Sequence, residues 1–422
     1  MSSNPHSAAA GARGPNIRQD CWVEVRSTEG SPVPAATVPA ATVPAAAAPT
    51  INVATAEGSL GEDSIRKFAE QTLTALDAGD LSIRIEDNGA QPFTIMARIE
   101  AAVGRLRGAE MGAVLPPARP EIHYRSSRDR IRRTRIFVPG STPKFFAKAA
   151  LCGPDAVILD LEDGVVPQEK DAARLLVRNA LRTVDFRGAE KTVRINPLPL
   201  GLEDIRFVVP HGVHALLLSK TEDPAEVVEI DCAVKQALKD HGQEGEVFLV
   251  PSIETARGGF RALEIAEASP RVVGLSLGLE DYVNDIGAEH TPERRETRWF
   301  TGQVLNAARA AGVQPLGSVY TDIQDLEGLA RYAADFRKLG FEGLACIHPS
   351  QVPVINRAFS PSPQHVAKAQ RIVAAFEQAA AEGTGAISVD GKLVDLPVVE
   401  LARGVLRRAA ACEARDRSSL ES

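Results

Sequence analysis

Carboxylates recur where short apolar runs of the chain end. Asp160-Leu161-Glu162-Asp163 follows Ala156–Leu159, Glu254 closes Pro251-Ser252-Ile253-Glu254, and Glu280-Asp281 follows Gly278-Leu279. Arg194 stands near the end of another run, and Lys220 and His348 follow two more. Carboxylates without a Cys/His cluster suit a hard cation: Mg²⁺ takes one or two protein carboxylates and completes its shell with water and substrate oxygens. Glu254 and Asp281, ending consecutive runs, are the best-placed pair. The competing explanation, capping of the next helix, fits Asp163 better than Glu254. Arg194 stands inside the apolar run Val193-Arg194-Ile195 and needs an anionic partner. That partner is either a structural carboxylate or a substrate carboxylate gripped by the planar fork. Lys220 admits a rival, metal-free chemistry, a Schiff base with a ketone substrate. His348, followed by proline, reads as a capping or packing residue.

These side chains matter only if something gathers them. From Arg135 onward, β-branched apolar runs alternate with longer helical patterns, as in a parallel α/β sheet. The runs are Arg135–Val138, Ala156–Leu159, Lys191–Ile195, Ala215–Leu218, Glu246–Val250, Val272–Leu277, Gln314–Val319 and Gly343–Ile347. Eight such strands over about 280 residues fit a (β/α)8 TIM barrel, whose chemistry sits at the C-terminal ends of its strands. A doubly wound sheet would carry a glycine-rich phosphate turn after its first strand. Here that turn reads Pro139-Gly140-Ser141-Thr142-Pro143, which is not such a turn.

Ahead of the barrel, residues 1–15 read as a disordered tail and residues 16–110 as a small α+β domain. Its expected elements are a strand at Cys21–Val25, an amphipathic helix around Ile65–Leu76, strands at Leu81–Ile85 and Phe93–Met96, and a helix over Ala97–Leu106. An Ala/Pro-rich insertion at 31–50 interrupts it, since repeated proline forbids a continuous helix. A Pro-rich linker (111–130) leads to the barrel (131–380). A helix over Val366–Ala380 is followed by a C-terminal arm (381–412). Within the arm Gly383–Gly385 marks a break, Ala386–Val389 a short strand, Asp390-Gly391 a turn and Val398–Ala409 a helix, and residues 413–422 read as a disordered tail.

The 422 residues carry 48 basic and 55 acidic side chains, a net charge of −7, which argues against nucleic acid as a partner. No stretch approaches the roughly 20 apolar residues of a membrane span. The N-terminus lacks the apolar core of a signal peptide. Five scattered cysteines without a C-x-x-C pair suit a reducing compartment, so a cytoplasmic location is expected.

The segment from Arg135 to about Arg408 resembles the β subunit of citrate lyase and the malyl-CoA and citramalyl-CoA lyases, of the HpcH/HpaI aldolase superfamily. The matching stretches include IFVPGSTPKFFAKA, DAVILDLEDGVVPQEKDAAR, VRINP, SIETARG, LGLEDYVNDIG, LGFEGLACIHPSQVPVIN and DGKLVDLP. The resemblance implies a homotrimer or hexamer that cleaves a 3-hydroxyacyl thioester into an acetyl thioester and a 2-keto acid. It implies Mg²⁺ on Glu254 and Asp281, and Arg194 on the keto-acid carboxylate. Phe137, Pro139, Gly140 and Ser141 would lie beside the thioester of CoA or a phosphopantetheine-type carrier. Asp395 would act as acid/base in a neighbouring subunit's site. Glu162, Asp163 and Glu280 are expected to order metal-bound water from behind the ligands. A class II aldolase for free keto acids and a non-catalytic subunit of a lyase complex are the alternatives. Residues 16–106 resemble the γ subunit of citrate lyase, an acyl carrier protein. Arg18 stands where those carriers bear their prosthetic serine, which implies a degenerate carrier. A further departure is Leu344, where the family often has lysine; its loss is expected to remove a cation beside the thioester pocket.

Overall fold

A computed structural model of the chain describes residues 6–14, 16–27, 50–56, 59–108, 113–291, 293–381, 387–389 and 391–421. The insertion expected at 31–50 lies outside them, Thr50 excepted, as do Gly383–Gly385 and Asp390.

The N-terminal domain is a four-stranded sheet in the order β1-β2-β4-β3, formed by β1 (Ser7–Gly11), β2 (Cys21–Ser27), β3 (Ile51–Thr55) and β4 (Leu81–Asp87). Two helices pack on it, α1 (Glu62–Ala75) and α2 (Pro92–Arg107). Residues 7–11 correct the expected tail: they pair antiparallel with β2. Phe93–Met96 corrects the expected second strand, because it is the first turn of α2. Pro92 starts that helix with its fixed φ and dispensable N–H. The strand missing from the sequence reading is β3, which pairs parallel with β4.

Residues 113–133 are more than a spacer. They strap the N-terminal ends of the barrel strands, with the Tyr124 hydroxyl donating to the Ala189 carbonyl and Arg128 to the Pro270 carbonyl.

Eight parallel strands then close on themselves. In order with their helices they are β5 (Thr134–Pro139), α3 (Phe146–Ala150), β6 (Ala156–Asp160), α4 (Lys170–Thr183), β7 (Glu190–Ile195), α5 (Leu200–Val208), β8 (Ala215–Leu218), α6 (Pro224–Asp240) and β9 (Phe248–Ile253). There follow α7 (Ala256–Phe260), α8 (Ala262–Glu267), β10 (Gly274–Leu277), α9 (Leu279–Asp285), α10 (Arg298–Ala310), β11 (Gln314–Gly317), α11 (Leu326–Leu339), β12 (Gly343–Cys346) and α12 (Gln351–Phe359). Alternation sorts the side chains. Ile136, Val138, Val157 and Leu159 join the core beneath the helices, whereas Phe137, Ile158, Leu217, Phe248 and Val250 fill the interior. The outer core is continuous with that of the N-terminal domain.

Beyond the barrel come α13 (Pro363–Ala381), the hairpin β13 (Ile387–Val389) and β14 (Lys392–Val394), and α14 (Leu396–Glu421), which share a separate small core. The tail expected at 413–422 is instead the last turns of α14. Arg415 is buried and donates to the Pro154 carbonyl, and Asp416 pairs with Arg133 at 2.6 Å. Among the described residues no helix is long and apolar enough to cross a membrane.

Candidate active site

The interior face of β9 explains how an acid reaches the barrel mouth. Phe248, Val250 and Ser252 point inward at every second position, and Glu254 is the next in that series, just past the strand. Glu254 is 4% exposed. Its Oε1 accepts the Lys220 backbone N–H at 2.5 Å and its Oε2 the Ser252 hydroxyl at 3.0 Å. Burial, then repulsion from Asp281, pushes its pKa up to about 7. Gly278 is obligatory here, because a Cβ would lie 2.5 Å from Glu254 Oε2. Asp281 sits in the first turn of α9, half exposed, across from the Lys220 ammonium at 4.0 Å.

Arg194 answers the question left open by the sequence. Its Nε and Nη2 donate to both oxygens of Asp160, at 2.7 and 2.6 Å. The bidentate partner is therefore structural, and it is a residue the sequence reading passed over although it heads Asp160-Leu161-Glu162-Asp163. The third nitrogen, Nη1, lies 3.0 Å from Glu162, and the guanidinium stacks on the Phe137 ring at 4.9 Å. Burial opposes the Arg194 charge, but the Asp160 hydrogen bonds and neighbouring carboxylates outweigh it and raise the pKa.

Lys220 projects into the acidic ring from a left-handed backbone (φ 49°), the kind of strained position that clusters at functional sites. Its Nζ is 2.8 Å from Glu162 and 3.6 Å from Asp163. Partial burial works against its charge, but the Glu162 hydrogen bond and the adjacent carboxylates prevail and raise its pKa. A Schiff-base lysine needs the opposite shift, so the metal-free rival loses its support.

The structure thus brings together Arg194, Glu162, Asp163, Lys220, Glu254 and Asp281, with Phe137 beneath them. Pro139, Gly140 and Ser141 form the adjacent loop. Four other residues lie outside this cluster, and His348 among them keeps the capping role expected of it. Glu280 turns outward to His290, 3.1 Å away. His348 accepts from the Ser350 backbone N–H and contacts its hydroxyl, a local cap. Leu344 is wholly buried in the layer between strands and helices, beside Phe336 and Gly317, so its identity does not alter the charge of the mouth. Asp395 caps α14, its Oδ1 facing the Val398 N–H at 3.4 Å, and among the described residues of one chain no hydrogen bond or ion pair joins it to the mouth.

Among the described residues no group of three His, Cys, Asp or Glu is ready-made for a metal. The pair Glu254 and Asp281 nonetheless fits Mg²⁺: two hard carboxylates face one site, burial and then their mutual repulsion raise the Glu254 pKa, and a lysine ammonium faces the same acidic ring.

A parallel eight-stranded barrel with acids and cations gathered at its mouth defines an α/β-barrel enzyme. Residues 133–349 match the HpcH/HpaI aldolase/citrate lyase family, and the chain belongs to that family. Residues 41–106 match the acyl carrier family described as malonate decarboxylase delta subunit. The chain is 38% identical over 286 residues to citrate lyase subunit beta of Leuconostoc mesenteroides subsp. cremoris, covering 67% of this chain and 95% of that one. It is 34% identical over 284 residues to a (3S)-malyl-CoA thioesterase of Cereibacter sphaeroides, covering 67% and 96%. The crystal structure of CitE from Mycobacterium tuberculosis with magnesium, acetoacetate and coenzyme A superposes with a TM-score of 0.56 at 34% identity, over 67% of this chain and all of that one.

Proposed function

We propose that the chain is a magnesium-dependent carbon–carbon lyase that cleaves a 3-hydroxyacyl-CoA thioester into an acetyl thioester and a 2-keto acid. The observation carrying this reading is the pairing at the mouth of two mutually repelling carboxylates, Glu254 and Asp281, with the cations Arg194 and Lys220. Glu254 and Asp281 would hold Mg²⁺, which when bound would supply Lewis-acid polarisation of the carbinol oxygen that becomes the ketone. Arg194, locked by Asp160, offers Nη1 to the keto-acid carboxylate, and Phe137 fixes the plane of the guanidinium. Glu162 and Asp163, held by Arg194 and Lys220, orient water around the site. The departing acetyl-thioester enolate needs a proton on carbon, and Asp395 of a neighbouring subunit provides it. In support, the arm around Asp395 exposes Leu393, Leu396 and Leu401 at 71%, 56% and 74%, and Phe260 and Trp299 on the barrel stand exposed at 71% and 53%. Such faces suit burial between copies in a homotrimer or hexamer. Association with further subunits of a lyase complex is also compatible with the carrier-like domain. All five cysteines are free, consistent with the cytoplasm.

A panel of citryl-, citramalyl- and malyl-CoA with Mg²⁺, and the corresponding free hydroxy-keto acids, tests the reading. Keto acid plus acetyl-CoA is the expected product pair, lost in Asp281→Ala. Release of CoA with the hydroxy acid intact would make the protein a thioesterase instead. Cleavage of free keto acids alone would favour the class II aldolase. Full magnesium-dependent cleavage by Asp281→Ala would remove the metal assignment.

A further inference from the structure

The N-terminal domain reaches the mouth through one buried side chain. Arg98, on α2, is 2% exposed, and Asp20, just before β2, is 4% exposed. Arg98 Nε and Nη2 donate to the two oxygens of Asp20 at 3.0 and 2.8 Å. The same Nη2 also donates across the domain boundary to the Ser141 carbonyl, at 3.0 Å. Ser141 belongs to the loop after β5. Its neighbour Gly140 donates its N–H to the Asp160 carbonyl at 2.8 Å and leaves no room for a Cβ, which would lie 2.7 Å from that oxygen. Asp160 in turn holds Arg194. Hydrogen bonds and short backbone steps therefore connect Asp20, Arg98, Ser141, Gly140, Asp160 and Arg194, from the carrier-like domain into the barrel mouth.

The surroundings show that this domain is docked rather than tethered. Arg178 of α4 forms a buried bidentate pair with Glu100 of α2, at 2.9 and 2.6 Å, and Asn179 donates to the Phe93 carbonyl. Arg105 grips Asp171 at 2.7 Å through two bonds. Glu100 bears on the flank of α4, and Arg105 on its start, where it also donates to the Gln168 carbonyl at 2.8 Å and meets Glu169 at 3.3 Å. Among the described residues of this domain, Arg98 is the one that bonds to the Ser141 loop.

We infer that Arg98 is a positioning residue for thioester binding: pinned by Asp20, it fixes the Ser141 loop, so that the carrier-like domain serves as a wall of the active site. This rests on the proposed lyase function and on the place beside the thioester that the family resemblance implies for the Ser141 loop. A guanidinium suits the task because its planar fork satisfies Asp20 with one edge and still has a hydrogen to give Ser141, which lysine cannot match in the same geometry.

The test uses the full chain with Arg98→Lys, Arg98→Gln and, as control, Arg105→Gln, which breaks cross-domain contacts to residues 168–171 and none to the Ser141 loop. Amide exchange over Gly140–Phe145, affinity for CoA alone, KM and kcat for the cleaved thioester, and melting temperature are measured. Arg98→Lys is expected to speed exchange in the loop, and to raise the CoA dissociation constant and KM about tenfold with kcat little changed. Arg105→Gln is expected to lower the melting temperature only. Unchanged loop exchange and CoA affinity in a folded Arg98→Lys would overturn the inference, as would an equal KM rise in Arg105→Gln. If Arg98→Gln does not fold, Arg98→Lys still decides. If wild type cleaves no thioester, the lyase reading fails, while loop exchange and CoA affinity still judge the clamp.

Discussion

Both ends of the barrel are rich in ion pairs, yet their charges are balanced differently. At the foot, where the strands begin, three arginines meet three carboxylates. Arg132 binds Glu190 in a pair 1% exposed on each side, Arg133 holds Asp155 and Asp416, and Arg415 reaches Asp155. Burial would raise the Glu190 pKa, but Arg132 overrides it and brings the value down to about 2. At the mouth Arg194 and Lys220, with Lys170 behind them on the Leu161 and Glu162 carbonyls, face the five acids Asp160, Glu162, Asp163, Glu254 and Asp281. The surplus is negative, and one acid is pushed up to about 7. The foot also buries Lys191 over the Tyr124 ring, where burial pushes its pKa down to about 8, so its surplus is cationic; the acidic mouth is the end poised to receive a cation and its ligand.

The contrast breaks most visibly on removing a mouth acid. Asp281→Asn is expected to reduce magnesium-dependent kcat/KM by about a thousandfold or more, with the melting temperature barely moved; steady-state kinetics across a Mg²⁺ titration checks this. Next comes the acid that the single chain leaves outside the mouth. Asp395→Asn and Glu254→Ala are each expected to be inactive alone, and to regain activity when their subunits are exchanged in mixed oligomers. Silence after confirmed exchange would refute a neighbour-supplied acid/base. At the foot, Glu190→Gln strands Arg132 and is expected to cost about 3–5 kcal/mol of stability, read by denaturant unfolding, while kcat of the folded protein stays near wild type.

The smallest effect is the pH dependence, where the two ends pull in opposite directions. Burial, then repulsion from neighbouring cations, holds His211 and His214 at the foot down to about 3, from an ordinary 6.5. They stay neutral in the fold, so the stability they contribute is complete above 6.5 and is lost as pH falls. Glu254 does the reverse: its value rises from 4.5 to about 7, so its contribution, full below 4.5, is lost as pH climbs toward 7. Between pH 5 and 6 two protons favour the unfolded chain and one favours the fold. Among these three groups stability should therefore rise by about 1.4 kcal/mol per pH unit. Glu254→Gln should steepen that slope and His214→Gln should flatten it, as unfolding curves at several pH values would show.

Much of the barrel was legible because its signal is periodic. Runs such as Ala215–Leu218 emerge as strands with the same limits, and the run-ends carrying Arg194, Glu254 and Asp281 do converge at one mouth. What failed was local geometry. Phe93–Met96 is apolar enough for a strand, but Pro92 turns it into a helix start. Glu280 and Asp281 are adjacent in sequence, yet the first turn of α9 sends one carboxylate to His290 and the other toward Lys220. Leu344 lies one residue from an inward position, and that single step puts it on the outer layer. Asp160 escaped notice because an acid at a strand end carries no mark of which cation it will hold. The strand Ser7–Gly11 is small-residue and almost featureless; pairing with β2 creates it, not propensity.

The long helix α14 sets a distance. Its last turns are fastened to the foot by Asp416 on Arg133 and Arg415 on the Pro154 carbonyl, and its first residue follows Asp395. At 1.5 Å per residue the 21 steps between Asp395 and Asp416 amount to roughly 30 Å. The helix is in effect a ruler with one end nailed down, and the acid is the mark at the other end. Inserting or deleting one turn would shift that mark by about 5 Å while leaving every side chain of the mouth in place, so the spacing itself, independent of any residue's chemistry, decides where the acid arrives.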